Sequence, residues 1–439
     1  MLIDRSNSAE RTMSGFDPLD RKLLIRLMPL LVLCFFFAYV DRVNVSFAAG
    51  DMRHDLMLSG TTYGLGAGIF FIGYVLFEMP GNYILGRLGA RLWLSVCMIA
   101  WGLVSAGMAF VGNGTEFLTM RFVLGMAESG FYPGILFFLM QAFPAKLHVR
   151  VISYLIVVIP VASAVSSLLA SVILHLNGMW TLHGWQWLFL IEGLPSIFLG
   201  GLLYYYLPER LEQAAWLTED ERVIMASRLA SLRTSRQVRS LDVFLGAFRL
   251  PVVWKIAAVF FCISFVSGTI HFWLPQMIAH AGFERHQVLR LATIPYFAGA
   301  LALLVCVRRT DTATDNRRIL SALVIACLAL WGITLTAYIA GQGILLTLAT
   351  AALFVILGLM WGLPGRFLHG MQAAAGVALI NSFGNLGNFF GPVAFAFLAG
   401  PTAVYARGLV MDALMLGIAG LLYWTLTRKK TFAQREETS

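Results

Sequence analysis

Apolar residues in this chain run in long blocks, with the polar residues collected between them. A helix needs about 20 predominantly apolar residues to cross a hydrocarbon core. Twelve blocks on that scale fall at about 23–49, 60–85, 91–112, 115–140, 151–175, 185–207, 251–280, 287–307, 317–340, 343–363, 370–399 and 402–427. A helix apolar on all sides belongs in lipid or deep among other helices. The pattern therefore predicts an all-α integral membrane protein with twelve transmembrane helices. One long hydrophilic interval, 208–250, separates six blocks from six. The predicted organisation is an N-terminal tail over 1–22, a six-helix bundle over 23–207, a linker over 208–250, a second six-helix bundle over 251–427 and a C-terminal tail over 428–439. Inside the linker, Thr218 stands three residues before Glu221, a capping-box spacing that predicts a surface helix.

Composition agrees with the pattern. The chain is 59% hydrophobic and 13% charged, against roughly 25% charged in a soluble domain. Lys and Arg distribute unevenly. With twelve spans, the segments opposite the termini hold only Arg53, Arg285, Arg290 and Arg407 of the 32 basic residues, and Arg42 and Arg121 are intramembrane. All the others lie on the side of the termini, so both termini are expected in the cytoplasm of a cell, or inner, membrane. The tail leads into a long span with no small-residue cleavage site, so no removable signal peptide is expected. The net charge of +9 is what this topology requires and implies no nucleic-acid partner. The partners expected are the lipid bilayer, a small solute and a coupling ion, with the carrier a monomer. Five cysteines, odd in number and without CxxC spacing, indicate neither a disulfide framework nor a zinc site.

The halves echo each other. Gly86-Arg87-Leu88-Gly89-Ala90-Arg91 joins blocks two and three, and a second basic hairpin, Arg308-Arg309-Thr310-Asp311 through Arg317-Arg318, joins eight and nine. That suggests a six-span unit used twice. Gly125, Gly130 and Gly134 in block four, and Gly376, Gly384, Gly387 and Gly391 in block eleven, allow close helix approach, and serve packing alone or rocking between helices.

Four charges sit where lipid opposes them: Asp41 and Arg42 in block one, Arg121 and Glu128 in block four. Each costs about 2.5–3.5 kcal/mol at the bilayer centre unless paired or hydrated. Arg121 and Glu128, seven residues apart, share a helix face about 10 Å apart along the axis. Asp41 and Arg42 are adjacent and point in different directions. Two acids and two arginines around a watery cavity suit a proton-coupled carrier of anions, with Asp41 and Glu128 carrying protons and the arginines holding a carboxylate. The alternative is a purely structural ion-pair lock. Glu78 and Glu192 stand beside helix-perturbing residues, where hydrogen bonds to freed backbone groups are expected. Asn381, Asn385 and Asn388 form an amide stripe suited to solute hydroxyl or carboxyl groups, or to interhelical bonding. Tyr39, Tyr74, Tyr296 and Trp361 either line a cavity or anchor at the membrane interface. Trp185 and Trp187 read as interfacial anchors. His271 is a packing residue or a solute contact. No nucleophile–base pair, phosphate loop or metal-ligand spacing is present, so no enzyme activity, cofactor or metal is expected, and the coupling ion is expected to be a proton.

The chain resembles the major facilitator superfamily, and within it the anion:cation symporter family of galactonate, tartrate, phthalate and 4-hydroxyphenylacetate permeases. The residues carrying the resemblance are Tyr39-Val40-Asp41-Arg42-Val43-Asn44; Gly73-Tyr74 through Phe77-Glu78-Met79-Pro80-Gly81-Asn82; Arg121 through Gly125, Glu128 and Gly130-Phe131-Tyr132-Pro133-Gly134; Gly184-Trp185-Gln186-Trp187; Phe272-Trp273-Leu274-Pro275; and Asn381-Ser382-Phe383-Gly384-Asn385. The resemblance implies two six-helix bundles, alternating access and proton symport of an organic anion. It implies that Asp41 and Glu128 take the proton, that Arg42 engages carboxylate, that Arg121 exchanges partners with the acids, and that Tyr39, Tyr74 and Asn381 contact solute. Trp361 and His271 are added from the reading of the residues. Two departures stand out: Gly86 precedes Arg87 where the superfamily often has an acid, and Ile270-His271 stand where Tyr-Gly is common. Rival readings of the same fold are a drug/proton antiporter and a non-transporting nutrient sensor. The fifth block, Val158-Ile159-Pro160-Val161-Ala162-Ser163, lacks the glycines common in the former.

Overall fold

In the computed structural model the chain is described over residues 17–234, 246, 248–280, 282–307, 312–368, 371–400 and 404–436. Most of the expected N-terminal tail, the linker stretch 235–245, the hairpin residues 308–311 and the last three residues lie outside it. The helices of the first half are α1 (Pro18–Asp55), α2 (Gly60–Leu88), α3 (Ala90–Gly107), α4 (Gly114–Glu128), α5 (Phe131–Ala142), α6 (Ala145–Ile173) and α7 (Gly184–Tyr206). A surface helix, α8 (Glu219–Thr234), follows, and then the second half: α9 (Pro251–His280), α10 (Arg285–Val307), α11 (Thr312–Leu335), α12 (Ile339–Met360), the single turn α13 (Pro364–Phe367), α14 (Met371–Ala399) and α15 (Ala406–Glu436). Eleven spans among the described residues are long and apolar enough to cross a membrane. The block expected at 370–399 is α14.

The block expected at 115–140 is broken into α4 and α5 at Ser129–Gly130. Pro133 has no N–H to return to the Ser129 carbonyl, which removes one rung of the ladder. The next carbonyl, that of Gly130, accepts from both the Gly134 amide and the Trp93 indole, each at 3.1 Å. Glu128 is therefore the last residue of α4, at the edge of the break.

Close crossings fix the helices within each half. A Cβ on Gly125 would overlap the Phe70 carbonyl, and one on Gly391 would overlap the Phe265 carbonyl. These glycines let α4 lie against α2 and α14 against α9 at backbone distance.

The halves meet at the end of the bundle away from Pro18, called here the distal end. There Tyr63 Oη donates to the Phe272 carbonyl (2.8 Å), Gln276 to the Ser46 carbonyl (3.1 Å) and Ser167 to the Leu289 carbonyl (2.6 Å). Gly64 packs on Pro392 and Ala396, and Gly68 on Phe389. At the opposite, terminal end, α8 folds onto the first half. Its capping box forms, with the Thr218 amide donating to Glu221 at 2.8 Å and the Glu221 amide to Thr218 at 3.3 Å. Lys22 reaches Glu221 at 2.6 Å, and Arg228 bridges the buried Asp20 and the Ala142 carbonyl, both at 2.9 Å.

Candidate functional site

A cavity of about 160 Å³ lies between the halves, walled on one side by Phe35, Tyr39, Arg42, Tyr74 and Tyr132 and on the other by Phe260, His271, Trp361 and Asn381. Six of the expected site residues thus share one space: Tyr39, Arg42, Tyr74, His271, Trp361 and Asn381. The amide stripe also faces it, since Asn385 and Asn388 line the same wall.

Arg42 is held from several sides. Its Nη2 donates to Glu128 Oε2 at 2.7 Å and its Nε to the same oxygen at 3.3 Å. The guanidinium lies over the rings of Tyr39, Phe70 and Tyr74, 4.9, 5.1 and 5.5 Å from their centroids. An aromatic cage of this kind stabilises a desolvated cation. Glu128 is buried and its Oε1 has no hydrogen-bond partner. The pair offers the cavity a cation and holds an anion behind it.

Asp41 turns the other way. Its carboxylate accepts from Ser105 (2.6 Å), Ser196 (2.6 Å) and the Trp101 indole (3.1 Å), three donors on α3 and α7. Successive helical residues are rotated by about 100°, so Arg42 faces the cavity while Asp41 enters the packed wall. Among the described residues, no arginine pairs with Asp41.

Arg121 departs from the expected mutual neutralisation. It is fully buried behind the cavity wall, its Nε donating to the Gly66 carbonyl at 3.1 Å, while both terminal nitrogens lack a hydrogen-bond partner. Its guanidinium lies 5.1 Å from the Phe70 centroid and 5.8 Å from that of Phe272. Phe70 therefore touches both arginines. It reads as one more apolar residue of a membrane helix, and nothing in its sequence context marks it.

Glu78 and Glu192 take side-chain donors in place of the expected freed backbone groups. Asn381 Nδ2 donates to Glu78 Oε1 at 2.6 Å and Ser382 Oγ lies 3.5 Å from Oε2, both across the gap between halves. Glu192 accepts from Ser166 at 3.0 Å within the first half. Trp185 is buried and donates to Asp55 at 2.8 Å, which corrects its reading as an interfacial anchor. Tyr296 is also buried, its hydroxyl 3.4 Å from the His271 carbonyl.

His271 Nδ1 stands 2.8 Å from the Ser267 carbonyl, an acceptor only, so this nitrogen carries the ring hydrogen. Nε2 is then the acceptor of the neutral ring, and it has no partner. A buried acid that no sequence pattern singles out, Asp412 on α15, accepts from Thr269 at 3.2 Å. A second cavity, about 850 Å³ and lined mainly by apolar residues such as Met277, Ile294, Leu346 and Leu409, lies entirely within the second half.

Two helical halves closing on one cavity, with a caged arginine on one wall and amides on the other, define a membrane carrier. A family model described as Major Facilitator Superfamily matches residues 31–392, and the chain belongs to that superfamily. It is 36% identical over 415 residues to a putative tartrate transporter of Agrobacterium vitis, covering 93% of this chain and 94% of the relative. It is 34% identical over 418 residues to a quinolone resistance transporter of Acinetobacter baumannii, covering 94% and 96%. Among solved structures, a partially occluded inward-open form of the xylose transporter XylE from E. coli superposes with a TM-score of 0.76 over 92% of this chain and 98% of that one. At 15% identity, that likeness speaks for the fold. The fold and the relatives are those of transporters, not enzymes.

Proposed function

We propose that this protein imports a hydroxylated organic anion, of the tartrate or sugar-acid kind, by proton symport and alternating access. The observation that carries the reading is the Arg42–Glu128 pair at the cavity wall, 2.7 Å apart inside an aromatic cage. A planar guanidinium binds a carboxylate through two parallel hydrogen bonds. Removing one partner of a buried ion pair costs about 3–5 kcal/mol, so Arg42 leaves Glu128 readily only when Glu128 gains a proton. Proton binding and release of Arg42 to the solute are thereby one event. Asp41, held by three neutral donors, is the second proton site. Arg121, with two free terminal nitrogens, is the cation that takes up Glu128 or solute when Arg42 changes partner.

The opposite wall favours hydroxyl groups. His271 offers an unpartnered acceptor, and Asn381, Asn385 and Asn388 offer both donors and acceptors. A hydroxy-acid satisfies these, whereas a purely aromatic acid leaves them unpaired at a cost. The bias of Lys and Arg toward the terminal end supports cytoplasmic termini in a cell membrane.

The drug-antiporter reading draws on the quinolone-resistance relative. Drug-sized cavities run to about 300–1,000 Å³, and the cavity of that size described above belongs to one half alone. A site that alternates access has to lie between the halves, and the inter-half cavity is small and carries a cation. Uptake of labelled tartrate, galactonate and an aromatic acid into proteoliposomes, with and without an imposed pH gradient, tests the proposal. Gradient-driven accumulation of a hydroxy-acid is expected. No uptake of any carboxylate, with pH-driven efflux of a quinolone, contradicts it.

A further inference from the structure

We infer that Glu78 is a positioning residue that holds Asn381 and latches the two halves together at the terminal side of the cavity. Glu78 lies ten residues from the end of α2 and Asn381 ten residues from the start of α14. Both ends are at the terminal face, so each residue sits about 15 Å inside it, at matching depth. The two inter-half layers differ in chemistry. At the distal end the described hydrogen bonds run mostly from side chains to backbone carbonyls, among close-packed glycines. At the terminal side the described inter-half hydrogen bonds are those of one carboxylate, to Asn381 at 2.6 Å and Ser382 at 3.5 Å.

Glu78 is only 7% exposed, and no basic side chain is among its described partners. A buried donor or acceptor left without its partner is penalised, so one short bond here bears on the balance between the halves. The same amide lines the solute cavity. Asn381 is thus oriented by Glu78 before any solute arrives. A solute that claims the Asn381 amide has to take it from Glu78, which connects occupancy of the cavity to separation at the terminal side. That last step rests on the solute role proposed for Asn381. The latch itself does not.

Electron–electron resonance distances between spin labels test the latch without any solute or gradient. Labels at the exposed Arg87 and Arg317, introduced through a ketone-bearing unnatural residue that leaves the native cysteines in place, report the terminal side. Labels at Thr115 and Tyr338 report the distal end. Glu78→Ala and Asn381→Ala are expected to shift the terminal distances toward longer values, changing the ratio of close to separated forms on the order of tenfold. The double variant is expected to go no further than either single one. Glu78→Gln, whose amide oxygen still accepts from Asn381, is expected to keep most of the close form. An unshifted terminal distribution in Glu78→Ala overturns the latch, as does a shift in Asn381→Ala that Glu78→Ala fails to share. Loss of the distal distance identifies a misfolded Glu78→Ala. The deciding comparison is then Asn381→Ala against Asn381→Ala with Glu78→Gln, whose terminal distances are expected to coincide, and a clear difference between them overturns the latch. Failure of solute uptake in the wild type counts against the proposed transport and leaves these distances interpretable.

Discussion

Arg42 and Glu128 bind at 2.7 Å between α1 and α4, yet the Glu128 oxygen that does not meet Arg42 has no hydrogen-bond partner. Arg121, seven residues earlier on α4, leaves both terminal nitrogens without one. An incompletely satisfied carboxylate and an incompletely satisfied guanidinium on one helix form a poor permanent lock. They form a good exchange.

Arg42→Lys is expected to weaken binding of tartrate at least tenfold, because a point charge cannot reproduce the bidentate geometry and fits the ring cage less well. Membrane insertion should be unaffected. Binding measured by calorimetry on purified protein, with expression as control, checks this, and unchanged affinity in Arg42→Ala would count against the solute role.

Asp41→Asn keeps the size of the side chain but offers one acceptor oxygen to the three donors that surround Asp41. Gradient-driven uptake should be lost while exchange of internal for external solute persists. Retention of full pH-driven uptake would remove Asp41 from the proton path.

His271→Phe removes the unpartnered acceptor while keeping a ring against Tyr296 and Phe354. Preference should move from hydroxylated acids toward acids lacking the hydroxyl by about one to two orders of magnitude, with the proton requirement intact. Competition of labelled uptake by matched pairs of acids reads it out. An unchanged ranking would show that the second half does not select the solute.

Arg228→Ala leaves Asp20 buried without its cation, a change that costs about 3–5 kcal/mol when such a pair is broken. The melting temperature should fall clearly, and adding Asp20→Asn should recover part of it. Lys22→Ala should matter much less. Its partner Glu221 lies at the surface, with a carboxyl held below its ordinary value of 4.5 first by Lys22 and then by the Thr218 backbone. A lowered acid stabilises the fold above its unfolded value and loses that contribution as pH falls through the lowered one. Docking of α8, followed by hydrogen exchange corrected for intrinsic rate, should therefore be the same at pH 6 and pH 8.

The apolar blocks made the helical architecture legible, because burying backbone in lipid leaves helices as the economical solution. The four intramembrane charges were legible for the same reason: charge at that depth demands an explanation. Their partners were not. Whether Asp41 meets an arginine or three neutral donors depends on the rotation of α1 against α3 and α7, a tertiary quantity. The reach of Glu78 to Asn381 joins residues 303 positions apart, beyond any local pattern. Phe70 escaped because its ring does electrostatic work through a quadrupole that composition counts only as apolar. Trp185 misled because an indole near a span's end anchors in lipid by default, and here α1 supplies Asp55 as an acceptor.

The central claim, that one event binds a proton and frees Arg42 for an anion, is tested most directly by solute-induced proton flux. Proteoliposomes holding a trapped pH-sensitive dye, with no imposed gradient and the membrane potential clamped, receive external tartrate. The wild type should acidify the lumen in step with tartrate entry, and Glu128→Gln, in vesicles preloaded with unlabelled tartrate, should exchange it for labelled tartrate with no pH change. Tartrate entry with a silent dye in the wild type, or an undiminished proton flux in Glu128→Gln, would contradict the account.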